Sequence, residues 1–166
     1  MMLRLWALLF FLTACSADSV KSDSDGAPGT GGDSGSGPSA DAAPVAGEPA
    51  ALVGITAAHN QVRSDHGVAD IQWDPALAVI AQGWADGCVF GHNGDRGTTY
   101  PSSVGENIYA SSGVPTGQGV TASWASEEAD YNYANNTCSG DTCGHYTQIV
   151  WAGSTKLGCG YADGPN

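Results

Sequence analysis

Apolar residues recur along the chain with two different periods, and the periods lay out its elements. Leu52, Ile55, His59 and Val62 fall at helical spacing and Gly67 follows as a stop, which predicts a first helix over residues 49–66. Asp74 as N-cap and Pro75 in the first turn start a second helix. Leu77, Ile80, Ala81 and Trp84 line one of its faces, and it ends near Gly87. Residues 90–119 are rich in Gly, Ser and Thr, which predicts loop with a short element around 106–110. A third helix is expected over 119–131, with Val120, Trp124 and Glu127 on neighbouring turns. From His145 the period becomes two: His145, Thr147, Ile149 and Trp151 share one face, and Tyr146, Gln148 and Val150 the other. That predicts a strand over 145–151, and residues 157–161 predict another. Helices beside adjacent antiparallel strands imply a layered α+β domain.

Upstream, an apolar run over residues 5–12 follows Arg4. It is too short to cross a bilayer, which takes about 20 apolar residues as a helix. A basic start, a short apolar core and small residues after it make a signal peptide. The run ends in Leu12-Thr13-Ala14-Cys15, which resembles the bacterial lipobox. The resemblance implies that Cys15 is diacylated and becomes the first mature residue, anchoring the chain at a membrane. Ordinary cleavage near Ala14, leaving a soluble protein, is the alternative. Ser16 rather than Asp after the cysteine implies, in the bacterial sorting pattern, the outer membrane.

Residues 16–49 hold no aromatic side chain and consist largely of Gly, Ser, Ala, Asp and Pro. Such a stretch buries too little apolar surface to offset its ordering entropy, so it is expected to be a disordered linker with a reach of about 30 Å. Asp23-Ser24-Asp25-Gly26 lacks the closing Glu of a calcium loop, because Ser34 stands there. The organisation predicted is therefore a leader over 1–15, a linker over 16–49 and one domain over 50–166.

The formal charge of −12 argues against nucleic acid as a partner and against docking on anionic headgroups by charge. With Cys15 set aside, Cys88, Cys138, Cys143 and Cys159 remain, an even number that reads as disulfides in an exported domain. Four cysteines allow three pairings. Cys138 and Cys143 flank a short turn that favours a local bridge, which leaves Cys88 with Cys159. A zinc site of four thiolates lacks the paired short spacings it needs.

Four side chains stand out for chemistry: His92, Glu106, Glu127 and His145. Two imidazoles and two carboxylates on one wall could bind a divalent metal or act as acid and base. Taken singly, each is more often a satisfied structural residue. Several motifs bring them into one pattern. His59-Asn60-Gln61-Val62-Arg63, Gly105-Glu106-Asn107-Ile108, Trp124 with Glu127, Asn136-Thr137-Cys138 and Gly144-His145-Tyr146-Thr147-Gln148-Ile149-Val150-Trp151 follow in order. Together they resemble the CAP superfamily of cysteine-rich secretory proteins, insect venom antigen 5 and plant pathogenesis-related protein 1.

The resemblance implies an α-β-α sandwich with a central antiparallel sheet and a cleft holding His92, Glu106, Glu127 and His145. There the two histidines bind zinc or another divalent cation and the glutamates contribute through water or hydrogen bonds, with Asn107 and Tyr146 in support. It gives His59 and Arg63 the task of bracing the first helix. It also implies a further strand after residues 157–161. The chain stops at Asn166, so it is expected to be a shortened member or a truncated chain with an unpaired edge, and Cys159 could instead bridge to that further strand.

Two functions compete on this reading. The first is an exported, surface-tethered binding module, with a small lipid, a sterol or an extracellular protein as partner. The second is a metal-dependent hydrolase of peptides or esters with Glu106 or Glu127 as base. No Ser or Cys sits in a recognisable nucleophile motif, which favours binding. A non-functional truncated remnant is the third reading.

Overall fold

The helix start at Asp74-Pro75 is where the sequence is most explicit, and the computed structural model, which describes residues 9–10, 14–16 and 45–164, reproduces it. Helix α1 spans Ile55–Asp65, α2 Pro75–Ala85, α3 Gly117–Ala125 and α4 Gly144–Ile149. The strands are β1 (Leu9–Phe10), β2 (Ala14–Ser16), β3 (Gln72–Trp73), β4 (Tyr109–Ser111), β5 (Tyr131–Asn132), β6 (Thr137–Cys138), β7 (Lys156–Leu157) and β8 (Ala162–Asp163). The bulk of the expected linker, and Leu12-Thr13 ahead of Cys15, lie outside the described residues.

Asp74 caps α2 through Oδ1, which accepts from the Ala76 and Leu77 amides. The first helix begins later than its apolar spacing predicts. Residues Ala50–Leu52 form a separate 3-10 turn, and Gly54 at φ +85° turns the chain into α1, a conformation only glycine adopts without strain. Glu48, inside the expected linker, caps the new start: Oε2 accepts from Gly54 N at 2.7 Å and Oε1 from Thr56 N at 3.0 Å. The third helix likewise splits, with Ser126–Asp130 tightening to a 3-10 turn after α3.

The expected strand over 145–151 is a helix. Thr147 N donates to Cys143 O at 3.0 Å and Val150 N to Tyr146 O at 3.1 Å, the i to i−4 ladder of an α-helix. Tyr146, Ile149 and Val150 recur at i, i+3 and i+4 as well as sitting in an alternating run, so the short segment satisfies both periods. Burial of Tyr146 and Ile149 decides for the helix.

Pairing corrects the expectation of antiparallel strands. β1, β7 and β3 lie side by side in parallel, as do β4, β2 and β8; among the described residues β5 and β6 alone run antiparallel. β3 and β7 are separated by three helices, a crossover that brings a strand back in its starting direction. With 144–149 helical, the first of the two strands expected over 145–151 and 157–161 does not form.

Residues 157–160 alternate between two packing faces. Leu157 and Cys159 enter the core with Leu52, Ile55, Ile71, Val120, Trp124 and Ile149. Gly158 and Gly160 turn to α2, where any added Cβ would overlap Leu77 and Ala78, or Ala81 and Gln82. This alternation separates two of the predicted disulfide partners. Cys138 and Cys143 are bridged, but Cys88, just past α2, and Cys159, in the core on the opposite face, are free thiols. A period-two segment cannot send Cys159 towards α2 while its glycines point there.

Arg63 ties α1 to the segment after α4. Its guanidinium, fully buried, donates to the carbonyl oxygens of Ala69, Ile149, Trp151 and Ser154 at 2.7–3.1 Å. Asn60 exchanges a pair of hydrogen bonds with the Ile71 backbone. The His59-to-Arg63 motif is thus a set of braces, as the resemblance implied for His59 and Arg63.

Candidate functional site

Each candidate histidine meets one carboxylate. His92 Nδ1 lies 2.6 Å from Glu106 Oε2, and His145 Nδ1 lies 2.6 Å from Glu127 Oε1. A carboxylate only accepts, so Nδ1 carries the proton in both rings and a neutral imidazole presents its Nε2 lone pair outward.

The carboxylates are themselves fixed by backbone amides. Glu106, with its side chain 1 % exposed, accepts from Asn93 N through both oxygens, at 2.9 and 3.2 Å. Glu127 Oε2 accepts from His145 N at 2.9 Å and Tyr146 N at 3.2 Å. These are first-turn amides of α4, so Glu127 also supplies negative charge at the positive end of that helix. The Cys138–Cys143 bridge and the Gly144 N to Thr142 Oγ1 bond hold the chain entering α4. His145 is thereby oriented at its ring and at its own amide.

The two pairs are joined through the segment that follows Glu106. Asn107 Nδ2 donates to His145 O at 3.1 Å, and Trp124 Nε1 donates to Ile108 O at 3.2 Å. Trp124 stacks on His145 with centroids 6.1 Å apart, and the buried His59 ring meets Trp124 in a T-shaped contact. Gly105 lies against the Gln148 side chain, which a Cβ would overlap. His92 is half exposed and His145 about a quarter exposed.

The four expected site residues therefore arrive as two His–Glu pairs, each complete in itself. Among the described residues no group of three or more His, Cys, Asp or Glu side chains converges as a metal centre. The donors on offer are two imidazole nitrogens, with the carboxylates engaged behind them. Asn107 reaches the His145 carbonyl, while Tyr146 contributes its backbone amide. Trp124 and Glu48 are structural participants that sequence reasoning did not single out for these roles; for Trp124, its place one turn before Glu127 was the available signal.

Comparison with known proteins gives the family. The family model described as CAP, the cysteine-rich secretory protein family, matches residues 56–166. Pathogenesis-related leaf protein 4 of Solanum lycopersicum is 44 % identical over 107 residues, 64 % of this chain and 64 % of that protein. Pathogenesis-related protein 1 of Arabidopsis thaliana is 44 % identical over 106 residues, 61 % of each. A cysteine-rich venom protein of Conus textile is 42 % identical over 108 residues, 61 % of this chain and 35 % of that protein. The chain thus spans under two thirds of the length of these relatives. With a family model covering most of the chain and every quoted motif inside it, the chain belongs to the CAP family of cysteine-rich secretory proteins.

Proposed function

We propose that this protein is an exported interaction module, tethered at a membrane surface through Cys15, whose cleft takes a divalent cation on the Nε2 atoms of His92 and His145. The observation that carries the reading is the pair of Nδ1–carboxylate contacts, which fix tautomer and ring orientation as outer-shell partners of metal-ligating histidines do. Two protein ligands leave the remaining positions to water, which suits a weak, exchangeable ion. A zinc ion there would supply Lewis acidity. The chain's own residues orient the imidazoles and neutralise the added charge through Glu106 and Glu127.

The hydrolase reading is less favoured. A general base needs an oxygen free to take a proton, and the oxygens of Glu106 and Glu127 already accept from a ring N–H and from backbone amides. The partners we favour are an extracellular protein, or a small lipid or sterol held between helices. Support for export comes from the family's description as secretory and from the bridge between Cys138 and Cys143.

Zinc titration by calorimetry tests the cleft. His92→Ala and His145→Ala are each expected to weaken binding at least about tenfold, with Glu106→Gln and Glu127→Gln weakening it by a comparable factor. Unchanged affinity in both histidine variants removes the site, and zinc-dependent ester or peptide turnover abolished by His145→Ala would make the protein an enzyme. The tether is tested by radiolabelled palmitate, expected to enter the wild-type chain and not Cys15→Ala; equal soluble secretion of both forms eliminates it.

A further inference from the structure

A second recess, of about 760 Å³, shares no lining residue with the two His–Glu pairs. It lies between the end of α1, the 3-10 turn after α3, the β5–β6 hairpin and α4. Its walls are aromatic. The Tyr131 and Tyr146 rings meet at a tilt with centroids 5.7 Å apart, and Tyr133 and Trp151 stand at its edge, 88 % and 49 % exposed. Large aromatic side chains left in water around a cavity are unusual unless something covers them.

Charge distinguishes this recess from a plain apolar groove. Glu128 is in its wall, and no lysine or arginine is. Among the described residues the side chain that meets this carboxylate is His66, whose Nε2 lies 3.5 Å away while its ring packs edge-on against Tyr146. Across residues 50–166, Glu128 included, three basic side chains stand against eleven acidic ones. Arg63 is spent on buried carbonyls, Arg96 on the carbonyls of Asn93 and Val104, and Lys156 lies by Gln72. The field over the recess therefore attracts cations and repels anions. Aromatic faces add to this, because their quadrupoles are negative at the face and draw in ammonium groups.

We propose that this recess binds an organic cation, an ammonium group carried on a compact apolar body. The ammonium replaces His66 as the partner of Glu128, and the body lies against Tyr131, Tyr133, Tyr146 and Trp151. The volume is that of a site for a small molecule rather than for a folded partner. A fatty acid would bring its carboxylate to Glu128, and a sterol would leave Glu128 without a role.

The test uses the full chain and three probes with one aromatic body: phenethylamine, phenethyl alcohol and 3-phenylpropionate. Binding is read at pH 7.5 by backbone amide shifts at Tyr133, Tyr146 and Trp151. The amine is expected to bind more tightly than the alcohol, and the acid least. Glu128→Gln should weaken the amine about three- to fivefold and leave the alcohol unchanged. Tyr133→Ala and Trp151→Ala should weaken amine and alcohol together, by about threefold each. These three side chains are exposed enough to be replaced without loss of fold, and Glu128→Gln should leave zinc binding unchanged, so failure here is separable from failure of the metal cleft. Equal affinity for amine and acid, tight binding of a long-chain fatty acid, an equal effect of Glu128→Gln on amine and alcohol, or no saturable shift at these residues overturns the proposal.

Discussion

His59 shows how one buried side chain can set a pH response. Its ring is fully buried, with Nδ1 2.8 Å from Ile55 O and 3.2 Å from Thr121 Oγ1. Desolvation pulls its pKa from the ordinary 6.5 down to about 4, opposed in part by the Ile55 carbonyl. The folded chain thus binds fewer protons than the unfolded one between those values. Its contribution is fully present above pH 6.5 and is lost as pH falls towards 4, a change on the order of 2–3 kcal/mol. Urea unfolding between pH 4.5 and 7.5 should show stability rising with pH, and His59→Gln should flatten that rise. An identical slope in the variant would assign the effect elsewhere. The same scale shows what sequence could and could not yield at the site. His92, Glu106, Glu127 and His145 were legible through motifs. Their pairing was not, since His92 and Glu106 are 14 residues apart and His145 and Glu127 18 apart, joined by loops and turns with no regular period.

Among elements, α2 was legible almost to the residue because Asp74 and Pro75 encode a cap and a first turn chemically. α4 was not. Six residues are too few for periodicity to discriminate, and its identity rests on burial and on a carboxylate delivered from 18 positions upstream. The short parallel strands were harder still, because two-residue ladders such as β3 with β7 depend on partners more than 80 residues away. Packing of 157–160 against α2 is the tightest contact between elements that the glycines reveal. Gly158→Ala is expected to lower stability by about 1–3 kcal/mol, since its methyl would overlap Leu77 and the Ala78 backbone. Gly113→Ala, where an added methyl meets nothing, serves as the control and should stay within about 1 kcal/mol of the parent. Comparable denaturation midpoints for the two variants would mean that α2 shifts to admit the methyl.

At the scale of the molecule, the α+β class and the acidity were legible from composition and pattern, and the layering followed from where Leu157, Cys159 and the glycines point. The chain's two unbridged thiols in the domain sit at opposite extremes of this layering. Cys88, at φ +48°, is partly exposed and its Sγ donates to Asp163 O, whereas Cys159 is 2 % exposed and burial pushes its thiol well above the usual range. A thiol reagent therefore reads two different events. In the Cys15→Ser chain, one equivalent should be modified promptly and the second only when the core opens, at a rate that denaturant accelerates. Simultaneous modification of both would show that the layers separate freely in the native state. The packing that keeps Cys159 from a disulfide thus leaves the protein carrying its own gauge of how often its interior breathes.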